Sequence, residues 1–265
     1  MNWTFWLGIL SLGALGYYGL SHGGGERSLL NVHGILVVVG GTFVAMIINS
    51  PWRTLVNTLG NVVSLFLPVS LPGQEKIITE MSRLARRAQT EGGLLSLQGE
   101  SRDFAGGFLN RAVNVVIATG ESNEARRMLE TEIRQLRIRR QEDANLMRTM
   151  GTLSPMFGLL GTLLGMVEVL KTVSTPDKVG PAMALALSSA FAGIAMANLI
   201  CVPLAGQLRL RAITETMLLE MILEGVLDIA AGKPSSLVEL HLSSYAQSRR
   251  GPAAAPAPRE TAEPA

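Results

Sequence analysis

The chain has 265 residues, 48% of them hydrophobic and only 17% charged, with a mean hydropathy of +0.31, which describes an integral membrane protein rather than a soluble one. A net charge of +2 is too small to argue for nucleic acid as a partner. The single cysteine, Cys201, falls inside an apolar run, which excludes a disulfide framework or a cysteine zinc site within the chain and suits a small buried hydrophobe.

Residues 3–20 are apolar and uncharged, with Trp3, Trp6, Tyr17 and Tyr18 near the two ends, where amphipathic aromatics settle at a membrane boundary. No basic stretch precedes them, so they read as a membrane helix rather than a signal peptide. After a short glycine-rich loop, residues 32–50 form a second crossing, in which the paired Gly40 and Gly41 favour tight helix contact. The segment 52–150 interleaves basic and acidic residues. Pro68 and Pro72 punctuate its start, and helical spacing of apolar residues marks 74–87 and 123–148, with the charges on a solvated face.

Two further apolar runs, 152–170 and 181–206, are joined by the polar loop KTVSTPDKVG, and each is long enough to cross a bilayer core of about 30 Å at about 1.5 Å per residue. Small and hydroxylated residues line one face of each: Ser154, Gly158, Thr162 and Gly165 on the first, and Ala182, Ala186, Ser189, Gly193 and Ala197 on the second. Such stripes let membrane helices approach closely, so Gly158, Gly165, Ala186, Gly193 and Ala197 are candidates for packing a partner helix, and close packing alone would explain most of the pattern. Thr162, Ser188 and Ser189 have a sharper reading, because hydroxyls both donate and accept and suit an ion path. Pro155 and Pro203 each remove a backbone donor and can kink their helix, for packing or for gating.

An ion carrier in a membrane needs a group that can gain and lose charge, yet Glu168 is the sole acid within these apolar runs. It lies near the outer end, three residues from Lys171, with which it can pair. If the chain conducts ions, the titrating group must therefore come from a second chain. Basic residues concentrate beside one membrane face (Arg53, Arg137, Arg139, Arg140, Arg148, Arg209 and Arg211), which puts both termini and the 52–150 segment in the cytoplasm. Residues 208–248 continue with helical spacing and break at Gly232 and Pro234, while 249–265 are rich in Pro and Ala and read as disordered. No metal constellation, nucleophile with its base, or phosphate loop is apparent. His22, His33 and His241 read as ordinary surface or interfacial residues, so neither an enzyme nor a cofactor is expected. The expected fold class is all-α: four transmembrane helices (two within 1–51, two within 151–207) with a helical cytoplasmic domain, 52–150, between the second and third.

PMFGLLGTLLGMVEVLK followed by VGPAMALALSSAFAGIAMANLICVPLAGQL resembles the last two membrane helices of the MotA/TolQ/ExbB proton-channel family, and within it the MotA-type form PxFGxxGTxxGLVxML and GPxMAxALxTTxYGxxxANxxxxPxAxKL. VVVGGTFVAMI is similar to the family's second helix, and EGVLDIAAGKP to the MotA-type tail EGxxAIxxGxxP. The resemblance implies a bacterial inner-membrane subunit carrying H+ or Na+, ringed with copies of itself as a pentamer around a MotB-like single-span partner whose aspartate carries the ion, and acting on a cytoplasmic rotor. It places Thr162, Ser188 and Ser189 beside the ion path. ARRAQTEGGLLSLQGE resembles the rotor-facing segment ARxxGxLALEE, but Thr90 and Gln98 stand where that pattern has an arginine and a glutamate. Arg86, Arg87, Glu91 and Glu100 are the nearby charges able to substitute. A TolQ/ExbB-like or gliding-type motor driving another load is the alternative.

Overall fold

The computed structural model describes Ser11, residues 32–66 and residues 72–248. Apart from Ser11, the first expected crossing lies outside the described residues, as do Pro68 and the tail 249–265. Those described are all-helical, joined by turns: α1 (Val32–Asn49), α2 (Trp52–Phe66), α3 (Gln74–Thr90), α4 (Phe108–Thr119), α5 (Ser122–Thr172), α6 (Pro176–Ala195), α7 (Val202–Ala230) and α8 (Ser235–Ser248). They form two compact units, one from residues 32–66 and 138–212, the other from 72–137 and 213–248. Thus α2 and residues 138–150 group with the apolar helices, apart from the rest of the expected 52–150 domain.

In the first unit α1 lies along α6, with α5 alongside. A Cβ added at Gly34 would stand 2.7 Å from Ser189 Oγ and 2.8 Å from Ser188 Oγ, so only glycine allows α1 this close. Met46, Val62, Ala144, Leu146, Met147, Ala205 and Leu208 form a core where α1, α2, α5 and α7 meet. Among the described residues two helices are long and apolar enough to cross a membrane, Ser122–Thr172 and the run Asp177–Ala230, while His33–Asn49 is a shorter apolar helix. Only 22% and 33% of the most apolar windows of the two long helices are buried within the chain. The core helix of a soluble protein would be covered; these leave Leu159, Leu163, Leu187 and Phe191, among others, at the surface.

The sequence places a ten-residue loop before residue 181, but α6 begins at Pro176. A proline in the first turn has no donor to lose and a preset φ, so it starts the helix rather than interrupting it. Between α6 and α7 the backbone makes one π-helical turn, Met196–Cys201, in which the Val202 amide donates to the Ala197 carbonyl. Pro203 follows immediately. An α-helical turn there would press its ring against the carbonyl four residues back, and the wider turn relieves that crowding. Pro155, by contrast, sits within α5, which continues through it.

The second unit is built from α3, α4, the first part of α5, the later part of α7, and α8. Ile77, Met81 and Leu84 of α3, Phe108 and Leu109 of α4, Leu129 of α5, Met221 and Ile222 of α7, and Val238 and Leu242 of α8 fill one core. Gly120 (φ 65°) ends α4 and Gly232 (φ 72°) follows α7, both left-handed positions that suit glycine. The segment 92–107 carries five more positive-φ glycines and turns through two short 3-10 segments.

Candidate functional site

The small-residue faces of α5 and α6 meet each other. A Cβ at Gly158 would stand 3.0 Å from the Ser189 carbonyl and 3.3 Å from Gly193 Cα; one at Gly165 would stand 2.7 Å from Ala186 Cβ; and one at Gly161 would stand 2.5 Å from Ser189 Cβ. Gly158, Gly165, Ala186, Gly193 and Ala197 are all buried within the chain. The surface that the sequence offers to a partner helix is thus taken up by these two helices' own contact.

The three hydroxyls expected beside an ion path stand in different settings. Ser188 and Ser189 are fully enclosed between α1, α5 and α6, and each donates to the Leu185 carbonyl, at 3.1 and 2.8 Å. Thr162 is only partly covered and donates to the Leu159 carbonyl at 2.6 Å. All three satisfy their hydrogen within their own helix, which leaves oxygen lone pairs as acceptors. Thr162 alone presents that oxygen beside open surface. Glu168 pairs with Lys171 at 3.5 Å, both side chains more than half exposed, as the spacing suggested.

Four of the residues considered for load contact fall on an exposed face of the second unit. Arg87 bonds Glu91 at 2.7 Å and also Glu100, and Glu100 is shared with Arg83 at 3.3 Å. Arg83 in turn grips Glu80 through two nitrogens, at 3.0 and 2.8 Å. That hydrogen bond holds the Glu80 carboxyl below the usual glutamate range against the opposing effect of partial burial, and the Ser101 hydroxyl adds to it. Arg86 is exposed and outside this network. The Thr90 hydroxyl folds back onto the Arg86 and Arg87 carbonyls, at 3.2 and 3.1 Å.

Two polar clusters were not foreseen from sequence. Asp143, 6% exposed, accepts from Thr58 Oγ1 and Asn61 Nδ2, each at 2.7 Å. Asp228, 4% exposed, is held by Lys233 Nζ at 2.6 Å and by His241 Nδ1, so His241 is an anchor of α8 rather than a bystander. Partners 85 and 13 residues apart leave no local signature in the chain.

Residues 100–221 match the MotA/TolQ/ExbB proton channel family. The chain is 26% identical over 245 residues to motility protein A of Treponema pallidum, covering 92% of this chain and 94% of that one. It is 27% identical over 225 residues to chemotaxis protein PomA of Vibrio alginolyticus, covering 84% and 87%. Its fold superposes on the flagellar MotAB stator complex from Bacillus subtilis with a TM-score of 0.81 at 26% identity, covering 92% of this chain and 96% of that one.

Proposed function

The chain carries a MotA/TolQ/ExbB proton channel family domain over residues 100–221, and from that premise we propose that it is a MotA-like ion-channel subunit of a rotary stator. It couples ion flow across the bacterial inner membrane to torque on a cytoplasmic flagellar rotor. The observation that carries this reading is the extent of the likeness, which spans 92% of this chain and 94% of a motility protein A instead of one motif.

On this reading the chain spans the membrane four times, with 52–150 and both termini in the cytoplasm. The uncovered apolar faces of α5 and α6 meet lipid, sister copies in a pentamer and a MotB-like single-span partner. Among the described residues Glu168 is the one acid in the runs 152–170 and 181–206, and it is already paired at 3.5 Å with Lys171. The partner's aspartate therefore carries the H+ or Na+. Protonation or ion pairing lowers the cost of moving that carboxylate through an apolar layer. The Thr162 oxygen, with its hydrogen held by Leu159, can accept from a protonated carboxyl or ligate sodium. Ser188 and Ser189 back this wall, and Pro155 and Pro203 are the places where it can flex. Arg86, Arg87, Glu91 and Glu100 are the charges offered to the rotor. Thr90 and Gln98, uncharged where the MotA-type pattern is charged, support a second reading in which a TolQ/ExbB-like or gliding-type motor uses the same channel for another load.

The test compares Thr162→Val, which removes the hydroxyl and keeps the shape, with Thr162→Ser, which keeps it. Thr162→Val is expected to abolish swimming with membrane level and partner co-purification unchanged, and Thr162→Ser to preserve swimming. Normal swimming with Thr162→Val overturns the ion-path role, and failure to co-purify any acid-bearing single-span protein overturns the stator reading.

A further inference from the structure

An amide interrupts the apolar surface of the run 181–206. Asn198 lies in the π turn and is exposed, on the stripe that continues from Leu187, Phe191 and Ile194, which are themselves between 54% and 65% exposed. Its Nδ2 donates to the Ile194 carbonyl, four residues back, at 3.1 Å. A carbonyl can only accept, so this bond fixes which way round the amide sits and leaves Oδ1 with no donor among the described residues. An amide oxygen left against hydrocarbon is costly, so its surroundings must be polar once the chain is assembled. The same arrangement recurs on both helices. Apart from Glu168, the polar side chains of the runs 152–170 and 181–206 that are not buried are Thr152, Thr162 and Asn198. Each returns a hydrogen to a carbonyl of its own helix: Thr152 to Arg148 at 3.2 Å, Thr162 to Leu159 at 2.6 Å, and Asn198 to Ile194. Every one of them keeps an oxygen acceptor for its surroundings.

We propose that Asn198 is a second, inner station of the ion path, whose Oδ1 takes the cation after it leaves the acid beside Thr162. The depths fit such a sequence. A Cβ at Gly161 would stand 2.5 Å from Ser189 Cβ, which puts Thr162 level with Ser189, and the nine residues from Ser189 to Asn198 carry the chain about 13 Å further toward the cytoplasm. A Cβ at Gly151 would stand 3.2 Å from Cys201 Cβ and 3.9 Å from the Ala197 carbonyl oxygen. Thr152 and Asn198, the next residues along, therefore share one depth and offer two acceptors there. An amide that serves only to glue two helices uses its donors and its acceptor alike. Acceptor oxygens stepped along a membrane helix, each with a hydrogen engaged inside that helix, are instead what a cation shedding its water requires, whether sodium or a hydrated proton. The π turn adds to this, because such turns recur at functional sites.

The inference rests on the channel reading above, and the experiment separates the two. The full-length protein and its partner are placed in proteoliposomes, and the flux of H+ and of Na+ is followed with dyes selective for each. Asn198→Thr keeps an acceptor oxygen whose hydrogen can return to the Ile194 carbonyl, and Asn198→Val has the same shape without the oxygen. For the ion that the parent conducts, Asn198→Val is expected to cut the flux at least tenfold and Asn198→Thr to hold it within about threefold, with co-purification of partner and sister copies unchanged in both. Asn198→Asp, which adds charge to the station, is expected to lower the half-saturating ion concentration at least threefold, a readout that a purely structural amide would not move. Parental flux in Asn198→Val overturns the proposal, because the amide then serves only its own helix. So does equal loss in Asn198→Val and Asn198→Thr, loss of the partner or sister copies from Asn198→Val, which means a helix contact, or an unmoved half-saturation in Asn198→Asp. If the parent itself conducts neither ion, the channel reading falls and the inner station with it.

Discussion

Gly193 of α6 rests directly on Ser154 of α5: a methyl group at 193 would stand 2.7 Å from the Ser154 carbonyl oxygen, and 3.0 Å from Gly158 Cα. Backbone on both sides cannot turn aside as a side chain would. Gly193→Ala is therefore expected to destabilise the α5–α6 pair by about 1–3 kcal/mol, the usual range for overpacking. Gly206→Ala, with nothing within 4 Å of its added carbon, is expected to be neutral or stabilising by up to about 1 kcal/mol, from helix propensity. Thermal unfolding of the two variants in detergent checks the contrast.

This contact also shows what could be read from the chain alone. Ser154, Gly158, Gly165 and Gly193 are recognisable as a close-packing face because only small side chains recur there. Which helix they meet is not written in that spacing, since a neighbour in the same chain and a foreign helix ask for the same residues. Helix α2 was legible in principle, through the spacing of Trp52, Val56, Leu59, Val63 and Phe66, but lay hidden in a segment read as a charged domain. Asp143 and Asp228 looked like surface acids among many, and their burial follows from partners brought in by tertiary folding. Ser189 carries a practical lesson. Being fully enclosed against Gly34 and Gly161, it would report a packing defect if replaced by leucine, so Thr162 is the cleaner probe of the path.

Asp143→Ala is expected to cost about 1–3 kcal/mol, because it leaves Thr58 and Asn61 as inward-pointing donors with no acceptor. The loss should be local to α2. Limited proteolysis within 52–66 is expected to speed up in the variant well before global unfolding.

Acidification tests the Glu80–Arg83 contact. A carboxyl held below its usual pKa lends stability above its unfolded value of about 4.3 and withdraws it as pH falls through the lower folded value. Glu80→Gln is accordingly expected to melt below the parent at about pH 7 and to draw level with it below about pH 4. A gap that stays constant over that range would show that the contact acts through shape, not charge.

Asp228 has a side-chain partner on each oxygen, so the two partners should prove non-additive. Lys233→Ala or His241→Ala alone leaves the buried carboxylate one partner and is expected to cost about 1 kcal/mol. Together they strand the charge, and the double variant is expected to lose about 3 kcal/mol or more. A double-mutant cycle measured by denaturant unfolding reads the coupling, and simple addition of the two single effects would argue that Asp228 is not held by both.

The π turn at Met196–Cys201 resolves a problem of helical phase. Ser189, Gly193, Ala197, Cys201 and Ala205 are all buried, yet each is four residues from the last. At 3.6 residues per turn such a run creeps around the axis by about 40° per step and would end near the opposite side. One loosened coil, bonded five residues apart, winds back that creep. The chain can thus keep a single straight seam facing inward from Ser189 to Ala205, where a regular helix would have spiralled out of it.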